Sequence, residues 1–442
     1  MMLRSAPWRN WARTESVRPV RVERPTSVAA VQRAVVAAGQ AGLTVKAVGA
    51  GRSSTGIAVA PGVQLDLVDL RLPGLDSGCD VDTTTAQVTV AAGMTLHRLN
   101  RLLERRGLAL TNVGDTDRQT VAGAISTGTH GTGGRFTGMS SQVVGLSLVV
   151  GDGSVLRVSE AENAALLPAV RLGLGALGII VSVTLQCVPR FLLHVVEKTE
   201  LVDVVLEEFL QRTESADHFE FSWFPHTGSV LTTTNTRLSV AEPGARRARM
   251  SRWIDDELTA NGVYRAACDL GTSIPALVPP TARLTARLAG GREFTDDSRR
   301  VFSSSPSLRF REMEYAVPRE QVADAVRAVR SLIERRQWRI SFPVAVRSAS
   351  ADDLWLSSAY GRDTGYISVH RYIREDPTEY FHAVEDILRS YDARPHWGKL
   401  HFQDADSLRP LFDHFDDFRA VRDRLDPERR FTNSYLERVL GP

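Results

Sequence analysis

Apolar residues along the first third of the chain recur alternately at helical and at strand spacing. In "RPTSVAAVQRAVVAAGQAGLTVKAVGAG", Val28, Val31 and Val35 fall on one helical face behind Ser27, a residue type that caps helix N-termini. The pattern predicts a helix ending at Gly42, then a strand "TVKAV" that runs into a glycine loop. "VQLDLVDL" alternates apolar and polar positions and predicts a half-buried strand. "QVTVAAGMTLHRLNRLLERRGL" predicts a strand, then a helix capped at Thr95 and stopped at Gly107. "VVGLSLVVGDGSVLRVS" reads as a hairpin turning at Asp152-Gly153, and "LGLGALGIIVSVTLQCVPR" as a glycine-rich entry into a buried strand.

Past about residue 190 the pattern changes. Aromatic strands such as "FEFSWFPH" appear, and residues 236–306 form a charged, weakly patterned stretch. "LRFREMEYAVPRE" predicts a strand, followed by a helix with Val322, Val326, Val329 and Ile333 on one face. The last fifty or so residues return to short motifs such as "RPHWGKLHF" and "LDPERRFTNSYL".

Composition narrows the function classes. The chain has 442 residues, a net charge of +2, 43% hydrophobic and 24% charged residues. That length suggests two or three domains, and that balance carries no nucleic-acid footprint. Cys79, Cys187 and Cys268 are scattered, with no CxxC pair, so neither a disulfide framework nor a metal site is expected. The N-terminal residues lack the apolar core of a secretory signal, and no membrane span is expected. The expected location is cytoplasmic.

The loop "KAVGAGRSSTGIAVAPG" raises the question of chemistry. Gly49, Gly51 and Gly56 miss the G-x-G-x-x-G spacing of nicotinamide dinucleotide sites, and Gly56 is followed by Ile57 rather than the Lys of a phosphate-binding P-loop. By itself the loop reads equally as a turn or a site. Four motifs in order decide between them: "AVGAGRSS", "LTNVGDTDRQTVAGAISTGTHGTG", "GLGALGII" and "HWGKLHF". Together they resemble the sugar-lactone oxidase and alditol oxidase branch of the vanillyl-alcohol-oxidase flavoproteins, over nearly the whole chain and least over 236–306.

The resemblance implies an α+β protein. An FAD-binding domain of the PCMH type would cover 1–190, a substrate (cap) domain with an antiparallel sheet 191–390, and a C-terminal return to the FAD site 391–442. It implies FAD held by Gly49, Ala50, Gly51, Arg52, Ser53 and Ser54. A second wall would be Gly114, Gly123, Ala124, Thr127, Gly128, His130, Gly131 and Thr132, joined by Gly178, Ile179, His396 and Lys399. Loops of small residues suit this task, because their backbone N–H groups reach a pyrophosphate unobstructed. Arg52 stands where related oxidases usually have the histidine that bonds covalently to the flavin. A guanidinium is a poor nucleophile, so the FAD is expected to be non-covalent.

For catalysis the resemblance points to Arg347, Lys399, Asp115 and His370. Two residues before Arg347 the family generally has a glutamate; this chain has Ala345. Loss of that carboxylate beside two cations leaves three compensations open: recruitment of Asp115, an anionic substrate, or a degenerate pocket. Gly114 falls at the position that gates oxygen in the superfamily, and glycine there implies access for O2, with another electron acceptor as the alternative. The expected function is oxidation of a CH–OH group of a sugar, polyol or lactone-like small molecule. The competing reading is a flavin-binding protein without turnover.

Overall fold

The computed structural model describes residues 6–75, 78–241, 261–303 and 308–442, so the weakly patterned stretch 236–306 lies partly outside it. A small parallel sheet comes first. Its strands β1 (Arg21–Glu23), β2 (Val45–Ala47) and β3 (Val63–Leu65) run in the order β1-β3-β2, and helix α1 (Val28–Gln40) connects the outer two. Ser27 Oγ accepts from Ala30 N–H, and Gly42 takes a positive φ of 65° just past the helix end. The strand expected over "VQLDLVDL" is shorter than its alternation suggests. Asp66 donates its N–H to Glu23 O and turns the chain by accepting from Val68 N–H, so the ladder stops at Leu65.

A five-stranded antiparallel sheet follows. Strands β4 (Cys79–Asp82), β5 (Gln87–Ala91), β6 (Val143–Val149), β7 (Val155–Ser159) and β8 (Ile179–Gln186) adopt the order β7-β6-β8-β5-β4. Between β5 and β6 lie α2 (Leu96–Arg105), capped by Thr95, and α3 (Val121–Ser126), capped by Thr120.

The third sheet has eight antiparallel strands. They are β9 (Phe191–Leu201), β10 (His218–Trp223), β11 (Ser229–Ser239), β12 (Arg292–Asp297), β13 (Phe310–Pro318), β14 (Val344–Ala349), β15 (Thr364–Tyr372) and β16 (Arg394–Pro395), in the order β12-β9-β11-β10-β14-β15-β13-β16. Strand parity makes the two faces of its central strands unlike. Phe219, Phe221, Met313, Tyr315, Val344, Val346, Ile367 and Val369 bury one face beneath helices α4 (Val322–Arg336) and α5 (Thr378–Arg389). The alternate positions carry Glu220, Ser222, Glu312, Glu314, Ala345, Arg347, Ser368 and His370 on the other face.

The chain then returns to its beginning. Trp397, Phe412, and residues of α6 (Phe415–Leu425) and α7 (Ser434–Leu440) enter the same apolar core as α2, α3 and the five-stranded sheet. Leu354 and Leu356 join that core from the loop between β14 and β15.

Candidate active site

Two walls of different construction meet at Pro395–Lys399. The first wall is backbone. Val48 N–H donates to Leu65 O, and Ser54 N–H donates to Gly398 O at 2.7 Å. The N–H groups of Gly49, Ala50, Gly51, Arg52 and Ser53 between them have no protein acceptor among the described residues. Gly51 has a φ of 62°, a conformation that glycine adopts freely. This run borders a cavity of about 410 Å³ that also touches Lys46, Gly93, Gln119, Thr120, Gly123, Thr127, Gly175, Gly178 and Ile179. Unpaired consecutive N–H groups in a small-residue cradle suit an anion such as a diphosphate.

Other expected cofactor residues do not border that cavity. Ala124 is packed into the core, and Gly128 abuts Leu172. Gly131 is pressed against Asn112 and Val113 O, and Thr132 Oγ1 donates to Phe219 O. Gly114 is equally tight: a Cβ there would lie 2.6 Å from Thr129 Cγ2. Ser54, His396 and Lys399 belong to the seam between the walls. Arg52 does border the cavity, with its guanidinium 5.0 Å from the centre of the Trp11 ring. Burial and neighbouring Arg118 shift its ionisation downward.

Lys46 is buried at the cavity margin, donating to Gly175 O at 2.9 Å and Phe431 O at 3.1 Å. Burial pushes its ammonium down to about 7, against the attraction of Asp426.

The second wall is the polar face of the large sheet, and it is made of side chains. Arg347 Nε donates to Glu220 Oε2 at 2.8 Å, and its NH2 to Asp115 Oδ2 at 3.2 Å. Burial opposes the charge, but Glu220 and Asp115 together hold the guanidinium protonated. Lys399 is bonded to Glu312, whose other oxygen lies 3.5 Å from His370 Nε2. Burial opposes the Glu312 charge too, yet Lys399 and His370 bring its carboxyl down to about 2. His370 Nδ1 faces Pro343 O at 3.1 Å, so the ring sits on the polar face, as strand parity anticipates. Tyr372, two residues on, instead donates to Asp269 and packs against Phe342.

The sequence leaves the compensation of these two cations open. It misses Glu220, Glu312 and Glu314, which supply the negative charge that Ala345 does not. Asp115 is recruited to Arg347, but Glu220 across the strand makes the shorter bond.

His130 joins the walls. Its Nε2 lies 2.9 Å from Glu314 Oε1 and its Nδ1 2.9 Å from Gly131 O. The ring is thus held between a backbone carbonyl and a buried carboxylate. Ser368 Oγ donates to the other Glu314 oxygen, and Tyr366 stacks on the imidazole at 3.5 Å. Burial resists the Glu314 charge, but His130 holds its carboxyl well below the usual range. His396 completes a cluster in which one donor atom each of His130, Glu314 and His396 lie within 4.8 Å of one another. Its Nδ1 accepts from Gly398 N–H at 3.0 Å, and burial lowers the ring to about 4.

Ala345 lies directly opposite Ser222 on one neighbouring strand and Ser368 on the other. These three small side chains form a row across the polar face. Arg347 stands along one side of it and His370 along the other.

Residues 183–439 match the family described as D-arabinono-1,4-lactone oxidase, and residues 19–159 match an FAD binding domain. The chain is 41% identical to L-gulono-1,4-lactone dehydrogenase of Mycobacterium tuberculosis, covering 98% of this chain and 99% of that protein. It is 33% identical to L-gulonolactone oxidase of Mus musculus, covering 98% of each. It is 31% identical to alditol oxidase of a Streptomyces species, covering 85% of this chain and 86% of that one. Among solved structures, a solvent-stable cholesterol oxidase superposes with a TM-score of 0.86 at 19% identity, over 100% of this chain and 98% of that one, a likeness of fold. No described helix is long and apolar enough to cross a membrane.

Proposed function

Given that the chain belongs to the D-arabinono-1,4-lactone oxidase family, we propose that it oxidises a ring carbinol of a sugar-derived 1,4-lactone bound over the Ser222–Ala345–Ser368 row. The chain is an FAD-linked oxidoreductase acting on CH–OH donors. The observation that supports the substrate class is a floor of small side chains, in register across three strands, beside an Arg347 held by Glu220 and Asp115. A flat ring fits over such a floor. A flexible open-chain polyol gains less there, because the family's glutamate is replaced by Ala345.

The cofactor is assigned to the backbone wall. Gly49–Ser53 would hold its diphosphate with their free N–H groups, and Gly123, Thr127, Gly178 and Ile179 would complete the cradle. When bound, FAD supplies the hydride acceptor. Arg52 offers no histidyl nucleophile, so the flavin is proposed to be non-covalent.

The protein's own part follows from the polar face. Glu220 and Asp115 fix Arg347 through its Nε and NH2 groups, which leaves NH1 to donate to a substrate oxygen. Lys399 brings a second positive charge, buttressed by Glu312. Two cations aimed at one hydroxyl favour alkoxide character as its proton passes to solvent water. With its carboxyl at about 2, Glu312 is a weak base at neutral pH, so its main effect is to orient Lys399 and His370.

Anaerobic mixing of the purified protein with single substrates tests the reading. L-gulono-1,4-lactone or D-arabinono-1,4-lactone is expected to bleach the flavin absorbance, with xylitol at least about tenfold less efficient, a difference of about 1.4 kcal/mol. Equal bleaching by xylitol would overturn the lactone assignment. Oxygen is proposed as the acceptor from the family resemblance at Gly114, which packs against Thr129 outside the cofactor cavity. Aerobic reoxidation with stoichiometric peroxide is the expected result, and a reduced flavin that persists in air would point to another acceptor.

A further inference from the structure

Gln119 stands in the wall of the cofactor cavity, one residue before the Thr120 cap of α3. Its Nε2 donates to Thr129 Oγ1 at 3.1 Å. Its Oε1 is shielded from solvent and has no hydrogen-bond partner. Buried amide oxygens in native proteins are nearly always satisfied, so an unmet acceptor facing a ligand cavity marks a place where the ligand brings the donor.

The location says which donor. Thr129, which holds the Gln119 amide, precedes His130, and His130 bonds to Glu314 on the polar sheet face. Asp115, four residues before Gln119, bonds to Arg347 on that same face. Gln119 thus lies toward the reaction side of the cavity, whereas Gly178–Ile180 border it from strand β8. FAD has donors at both extremes: the N3–H of the isoalloxazine and the exocyclic amine of the adenine. The connection to Thr129 and His130 favours the isoalloxazine.

We propose that Gln119 Oε1 accepts the flavin N3–H, making Gln119 a recognition residue for the pyrimidine edge of the ring. The inference rests on the FAD assignment. Its consequence is orientational. Thr129 fixes the amide, the amide fixes the ring edge, and the same loop carries His130 to the substrate sheet. A tight Gly114–Thr129 contact keeps this arrangement in place from behind.

The test uses the deflavinated full-length chain, titrated with FAD and with FAD methylated at N3, each followed by flavin fluorescence. The unmodified protein is expected to bind FAD about tenfold more tightly than the N3-methyl analogue. Gln119→Leu should weaken FAD by a similar factor and leave the analogue unchanged, so the preference disappears. Gln119→Glu keeps an acceptor oxygen and should keep the preference. Equal affinity of the unmodified protein for the two flavins would overturn the proposal while leaving FAD binding itself intact. So would a preference that persists in Gln119→Leu, since it would then come from crowding around the methyl group. FAD methylated on the adenine amine is the third probe. If its discrimination, and not that of the N3 analogue, depends on Gln119, the contact belongs to adenine and the proposal fails. The unmodified protein alone answers the first question, whatever the stability of the variants.

Discussion

The two walls solve opposite problems. The cofactor wall offers backbone N–H groups, and glycine, alanine and serine leave them uncovered. The substrate wall is a lattice of side chains in which each cation has an anion: Arg347 with Glu220 and Asp115, Lys399 with Glu312, and His130 with Glu314. A backbone site cannot be removed by truncating one side chain, but it is sensitive to any added atom. A side-chain site tolerates added atoms better, but it fails when a single partner is lost, because the remaining charge is stranded in a poorly solvated place.

Substitutions can press on that contrast. The largest stability effect is expected at Glu314→Ala, which strands the buried His130 and unmakes the Ser368 bond. Breaking such a pair typically costs about 3–5 kcal/mol, readable from urea unfolding followed by tryptophan fluorescence. A cost below about 1 kcal/mol would mean that the His130–Glu314 contact contributes little, and the lattice picture would lose its centre. Next comes Arg347→Ala. Turnover is expected to fall about 10²–10³-fold, the range for removing one transition-state donor, while FAD content stays that of the unmodified protein. Loss of flavin from this variant would show that the walls are not separable.

The converse experiment is Gly49→Ala. The new methyl would run into Thr120 Oγ1, which also caps α3 through Gly123 N–H. FAD affinity is expected to drop about tenfold, and the KM for substrate of the saturated enzyme to stay the same. A changed KM with unchanged FAD affinity would reverse the assignment of the two walls. The smallest effect belongs to Lys46. Its folded-state ammonium titrates near 7 because of burial, below the value of about 10.4 for an exposed lysine. Between those values the unfolded chain binds more protons, so this residue makes stability rise with pH. The deflavinated chain should therefore gain more stability between pH 7 and 9 than Lys46→Met does. Parallel urea midpoints in the two proteins would place the Lys46 titration elsewhere.

The contrast also explains which features are legible in the sequence. The cofactor wall is local: Gly49–Ser53 are consecutive and lie within "AVGAGRSS", one of the four motifs that carry the family resemblance. Helix α1 is readable for a similar reason, since Ser27, the valine spacing and Gly42 all lie within sixteen residues. Glu220, Glu312 and Glu314 do not stand out as site residues, although "FEFSW" and "REMEY" display them at alternate positions. Alternation says only that one face of a strand is polar, and a polar face ordinarily meets water. Nothing in those strands announces that His130, ninety residues before Glu220, covers that face. Arg347 and Lys399 are found through family resemblance, and the partners that balance them come only from strand register. The over-long strand at "VQLDLVDL" fails for a local reason, an aspartate that turns the backbone where the parallel ladder has no further partner.

The first core is finished by the last residues of the chain. Trp397, Phe412, Phe415, Phe418, Leu436 and Val439 fill the space around α2 and α3, and Gly398 O receives the N–H of Ser54. On the ribosome, the glycine loop emerges more than three hundred residues before the segment that braces it. Until that segment arrives, the cofactor wall is an unsupported loop over an open core. Contacts this distant in sequence form slowly, because the intervening chain must first be brought together. Cofactor capture is therefore expected to be a late event of synthesis.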